Sequence, residues 1–239
     1  MEVHAHSHTE RKKWTHYLWE FLMLFLAVFC GFLAEYQLEH MIEHNKEKEY
    51  MRSMVEDLAQ DTIEVNGAIS RLLAHDKDID SLLNLLELPI SNDKNYLKKL
   101  YELHYYNMGA EPALFSQRTM SQLKNAGGLR LIRHKNIADS ITLYDTKLQH
   151  LAAIVKSYDE ATTEMGNEGS SIFDNQYKRH NFEKGSISLL TNNATTIRHY
   201  ANSVSMVQVV HKYYFLYLLQ QKNLANDLSE LIKKEYHLK

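Results

Sequence analysis

Proline and glycine are scarce, with 2 and 8 in 239 residues. Tight turns and strand connections depend on these residues, so their scarcity argues against a β-rich or disordered chain. Cysteine is scarcer still. The single Cys30 lies in an apolar run, which leaves no intrachain disulfide and no cysteine-based metal site. A clustered basic surface is also missing: 27 Lys and Arg alternate with 30 Asp and Glu, for a net charge of −3. Phosphate backbones are bound by concentrated positive charge, so nucleic acid is not expected as a partner. The sequence contains no glycine-rich phosphate loop, nucleophile elbow or paired-carboxylate motif. The expectation is a protein that is not an enzyme and carries no cofactor.

What is present begins with an apolar run. Residues 14–34 read WTHYLWEFLMLFLAVFCGFLA, with no charge from Phe21 to Ala34. About 21 helical residues at ~1.5 Å each cover ~31 Å, close to a hydrocarbon core of ~30 Å. Trp14, Tyr17 and Trp19 sit at one edge, where amphipathic rings favour the membrane interface. Arg11, Lys12 and Lys13 precede the run, and Glu35, Glu39 and Glu43 follow it. Positive charge stays on the cytoplasmic side, so the N-terminus is assigned to the cytoplasm and the main domain to the periplasm, across the inner (cytoplasmic) membrane. Cleavage after Ala34 would place bulky Phe32 three residues from the cut, where a signal peptidase needs a small side chain. Retention as an anchor follows. The expected organisation is a cytoplasmic tail (1–13), a transmembrane helix (14–35), a juxtamembrane helix (36–50) and a helical domain (51–239).

The remainder is dominated by heptad spacing, the alternation of three and four residues that lines one helix face with apolar groups. One seam runs through Met51, Val55, Leu58, Thr62, Val65, Ile69, Leu72, Asp76, Ile79, Leu83 and Leu86. A second runs from Ile137 through Tyr144, Leu151 and Tyr158 to Met165. The third runs from Ile197 through Val204, His211 and Leu218 to Ile232. Between the first two lies a weaker helical stretch, 93–125, interrupted at Gly109–Pro112 and stopped at Gly127 and Gly128. Pro89 ends the first helix, and 166–186 reads as the longest loop. The fold class expected is all-α: the transmembrane helix continues into an up-and-down four-helix bundle.

The segments YLWEFLMLFLAVFCGFLAEYQLE, NKEKEYMRSMVEDLAQDT and TMSQLKNAGGLRLIRHKNIADSITLYD together resemble a group of uncharacterised single-span membrane proteins common in Bacteroidetes. Leu123, Gly127 or Gly128, Leu131-Ile132 and Tyr144 follow that group's order of residues. The resemblance implies the same architecture and brings no catalytic residues.

Three constellations carry candidate chemistry. His40, Glu43 and His44 match H-x-x-E-H, with both histidines on one helical face as a zinc site requires. The motif falls next to the membrane run, where an amphipathic interface helix is the simpler account. His4, His6 and His8 alternate in the tail, a spacing that holds a transition metal only loosely. Asp76 and His211 are polar positions within two apolar seams. Setting Met51 level with Tyr236 on antiparallel helices brings these two together as a structural polar pair. The functional expectation is a membrane-anchored interaction or scaffold module, in contact with the bilayer and with a protein partner or a second copy of itself. A ligand-sensing bundle that signals through a partner is the alternative, and a metal-dependent hydrolase the remote one.

Overall fold

A computed structural model describes residues 14–109, 112–125, 127–179 and 187–238. His4, His6, His8 and the basic residues 11–13 lie outside the described residues. The described chain is all-helical, and its one strand-like feature is an isolated bridge between Phe173 and Leu189. Six α-helices are described: α1 (Trp14–Glu87), α2 (Lys94–Tyr106), α3 (Arg118–Asn125), α4 (Lys135–Gly169), α5 (Asn175–Arg179) and α6 (Ala194–Tyr236). A short 3-10 turn, Gly128–Leu131, separates α3 from α4. The chain forms two compact units, Met1–Glu49 and Tyr50–Lys239, and α1 contributes to both.

Within the first unit, α1 carries one window long and apolar enough to cross a membrane, and none of that window is buried. Phe21, Phe25 and Phe29 stack along one edge at ring separations of 6.3 and 5.9 Å. Their four-residue spacing places them one above another on a helix. Cys30 is exposed on the same segment.

The second unit is built on three long helical segments. Tyr144 reaches Asp61 and Tyr158 reaches His75, two contacts with the same sequence offset of 83 residues. Residues 50–87 of α1 and α4 are therefore parallel. Gln208 bonds Asp80 while His211 faces Asp76, so α6 runs antiparallel to α1. The chain between α1 and α4 returns alongside α1: Tyr96 donates to the Leu85 carbonyl, and Tyr106 packs on His75, about three turns back along α1. Local chemistry fixes the helix ends. The Asp93 carboxylate accepts the amides of Asn95 and Tyr96 to start α2, and Asn193 does the same for Thr195 and Thr196 at α6. Gly127, at φ 66°, takes the left-handed turn between α3 and the 3-10 segment.

Burial follows the expected seams closely on α4 and α6. Every seam residue of α6 from Ile197 to Ile232 is buried, and Tyr236 extends it. On α1 the stripe is rotated. Met51, Leu58, Val65, Leu72, Ile79 and Leu86 are buried as expected, but their partners are Met54, Asp61, Ala68 and Leu82. Val55, Thr62, Ile69, Asp76 and Leu83 flank the core instead. Two further differences concern connections. The gap between α2 and α3 is longer than the expected interruption at 109–112, and the loop read at 166–186 holds the last turn of α4 and the short α5. Gly169 closes α4 against the His104 ring, which a Cβ at that position would strike.

Leu218 is fully buried at mid-seam on α6. Leu218→Ala should lower unfolding free energy by ~2–5 kcal/mol in a denaturant titration of the full chain. A loss below ~0.5 kcal/mol would mean this seam does not pack as described.

Candidate functional site

The apolar interior of the second unit is divided into two clusters. One gathers Met51 to Leu72 of α1 with α3, the first turns of α4 and the last turns of α6. The other gathers Ile79 to Leu86 with α2, the end of α4 and the start of α6. Between them lies a polar layer made by His75 and Asp76 of α1, Tyr158 of α4 and His211 of α6. His75 Nδ1 is 3.4 Å from the Tyr158 hydroxyl, and the His75 and His211 rings lie 6.3 Å apart, nearly parallel.

The structure brings Asp76 and His211 together, with Nδ1 3.7 Å from Oδ1. That separation is longer than a hydrogen bond. Asp76 Oδ1 and His211 Nε2 are both buried without a hydrogen-bond partner among the described residues. Burial holds the His211 imidazole below the usual histidine range; Asp76 pulls it up, while His75 and Lys212 push it down. At 3.7 Å the pair is a close polar contact, without the hydrogen bond that the seams alone suggest.

A second polar group was not apparent from the seams. Asp57 and Asp61 are both buried on α1. Asp61 accepts the Ser116 amide at 2.7 Å and the Tyr144 hydroxyl at 2.6 Å. Asp57 accepts the Thr119 amide at 3.0 Å and an Arg118 guanidinium nitrogen at 2.9 Å. Residues 112–117 form no helix, so the Ser116 amide has no helical acceptor, and the Thr119 amide is one of the unpaired donors at the start of α3. Asp57 thus caps α3 from outside its own chain segment, and Asp61 holds the chain two residues before the helix begins. Their electrostatics diverge. Burial raises the Asp61 carboxyl above the usual carboxylate range; the contacts with Ser116 and Tyr144 restrain the rise, and the Asp57 and Glu64 charges add to it. Burial acts on Asp57 in the same direction, but contacts with Thr119 and Ser116 and the Arg118 charge outweigh it, leaving Asp57 below its usual value. The sequence signal was available in the four-residue spacing of Asp57 and Asp61 on the stripe of Met54, Leu58 and Val65.

Two cavities flank the polar layer. One of about 290 Å³ lies between α1 and α6, walled by Leu72, Leu73, Asp76, His211, Lys212, Phe215 and Leu216. The other, about 580 Å³, lies between α1, α2 and α4 and includes His75, Tyr106 and Tyr158 in its wall. At the same level, α6 presents Met206, Val209, Tyr213 and Leu216 to solvent, between 47% and 58% exposed.

The H-x-x-E-H residues belong to the first unit. His40 Nδ1 lies 3.9 Å from Glu43, and His44 Nδ1 lies 3.3 Å from Glu47, each pair within one turn. Among the described residues no group of three or more His, Cys, Asp or Glu is placed to share a metal ion. The histidines at 4, 6 and 8 fall outside the described residues. In comparisons with known proteins, no family model, curated protein or solved structure matches the chain.

The two aspartates give opposite responses to acid. Asp57, with its folded pKa lowered, stabilises the fold above about pH 3.8, and that contribution is lost as pH falls through the folded value. Asp61, with its folded pKa raised, favours the fold on the acid side, and its contribution fades as pH rises through the folded value. Asp57→Asn should therefore flatten the acid-side loss of stability, and Asp61→Asn should steepen it. At pH 7, Asp57→Ala should cost about 1–3 kcal/mol, because it strands a buried amide and Arg118. Denaturant titrations across pH 3–7 check this; identical pH profiles for both variants and the wild type would contradict the assignment.

Proposed function

We propose that the protein is a membrane-anchored interaction module whose helical domain docks a partner through the outer face of α6. In this reading the exposed apolar window of α1 is the anchor, a single pass through the inner membrane with the N-terminus in the cytoplasm. Residues 50–87 of α1, the α2–α3 stretch, α4 and α6 then make an up-and-down four-helix bundle on the periplasmic side. The resemblance to single-span Bacteroidetes proteins agrees with this arrangement.

The observation that carries the reading is the α6 stripe. Met206, Val209, Tyr213 and Leu216 follow the three-and-four spacing of a coiled-coil seam, yet they face solvent while the opposite seam of α6 is buried. Apolar residues aligned this way leave a continuous patch, which monomeric soluble surfaces rarely keep without use. A helix with a matching seam, from another protein or from a second copy of the chain, would bury it. Lys212 borders the stripe and supplies a handle for chemical cross-linking.

A membrane-impermeant lysine cross-linker added to intact spheroplasts should join the domain to its partner, and mass spectrometry should identify that partner or a self-adduct. Tyr213→Glu with Leu216→Glu should abolish the adduct while leaving the melting temperature near the wild-type value, because both side chains are more than half exposed. Adducts that persist in the double variant would contradict docking at α6. Adducts that form only after permeabilisation would reverse the orientation.

A further inference from the structure

We propose that the cavity between α1 and α6 is a binding site for a small zwitterion, a free α-amino acid with an aliphatic side chain. The proposal does not rest on docking at α6, because its test reads binding to the purified chain with no partner present.

The cavity lies where the seams of α1 and α6 meet the polar layer. Asp76 of α1 and Lys212 of α6 stand in the same wall, so the site carries one charge of each sign. These charges are not spent on each other: among the described residues, the ion-pair contact of Asp76 is with His211, at 3.7 Å. Asp76 Oδ1 and His211 Nε2 are both buried without a hydrogen-bond partner among those residues, and His211 is only 2% exposed. Buried polar atoms of this kind are costly until a partner reaches them. The Asp76 side chain as a whole is 34% exposed, which leaves its carboxylate open to the cavity it lines.

These features select the ligand by exclusion. A lone amine is drawn to Asp76 but repelled by Lys212, and a lone carboxylate meets the reverse. An α-amino acid carries both charges a few bonds apart. Its ammonium offers three donors to the Asp76 and His211 side, and its carboxylate meets Lys212. The rest of the wall is apolar. Leu72 is buried and Phe215 half-buried, while Leu73 and Leu216 are 52% and 58% exposed on the two helices. An aliphatic side chain seated between them removes apolar surface from water on both sides. The volume of about 290 Å³ is at the small end of the ~300–1,000 Å³ typical of ligand sites, which suits one amino acid rather than a peptide.

The test uses the full-length protein in mild detergent, with L-leucine as the probe and three analogues that each lack one feature. These are 3-methylbutylamine, without the carboxylate; 4-methylpentanoate, without the ammonium; and glycine, without the side chain. Isothermal titration should give saturable leucine binding, at least about tenfold tighter than any analogue, the factor expected for one hydrogen bond to a charged group. Asp76→Asn should weaken leucine by a similar factor, while 4-methylpentanoate binds no worse than to the wild type. Lys212→Gln should also weaken leucine, while 3-methylbutylamine binds no worse. If Asp76→Asn fails to fold, the decision passes to the exposed Lys212 and to the analogue comparison. Absence of saturable leucine binding would overturn the proposal. An analogue that matches leucine would overturn it too, as would leucine binding unchanged in the folded Asp76 and Lys212 variants.

Discussion

A backbone that leaves helical conformation inside a helical domain exposes amide donors that no ladder accepts, and each must find an oxygen. In this protein the problem arises between α2 and α3, and Asp57 and Asp61 answer it by bonding the amides of Thr119 and Ser116. Much of the domain's middle follows from that arrangement. Helix α2 ends where Tyr106 packs on His75, and the next described stretch of the returning chain, 112–117, is held to α1 in a non-helical path. The larger cavity opens there. The apolar core divides at the same level, and His75, Asp76, Tyr158 and His211 occupy the break.

The carboxylates act as local organisers rather than as a general source of stability. Burying a charge is unfavourable unless hydrogen bonds and opposite charge offset it. Asp57 has Arg118 beside it and its carboxyl is held below the usual range, whereas Asp61 has a phenol and an amide as its hydrogen-bond partners. Tyr144 in turn is tied to Gln221 of α6, whose side-chain amide donates to the Tyr144 carbonyl at 3.3 Å. One chain of polar contacts thereby runs from the α3 start through α1 and α4 to α6. A chain of this kind favours one register among three long helices, since a slip along any of them would strand a buried polar group.

The sequence made the long elements legible and the middle of the domain much less so. The apolar run at 14–34 is unbroken, and the seams of α4 and α6 contain mostly apolar residues, so periodicity alone located them. On α1 the buried stripe includes Asp61, with His75 in the half-buried layer. A reading weighted toward apolar positions shifted to Val55, Thr62, Ile69 and Leu83, one residue round the helix. That shift set Asp76 in the core and left Asp61 out of it. The antiparallel register of α1 and α6 was still recoverable, because it rests on helical rise and not on which face is buried. The cavity between α1, α2 and α4 had no sequence signature. It depends on where α2 stops and on how far the chain runs before α3, and helix ends are set by tertiary capping as much as by local residues.

The claim that the α1 carboxylates fix the return segment can be read most directly from amide hydrogen exchange. Ser116 and Thr119 should exchange as slowly as core amides of α4 near Tyr144, because their release requires the second unit to open. Exchange at these two amides as fast as at an unbonded surface loop would show that the segment is held by something else, and the account of the polar layer and cavity built on it would fail.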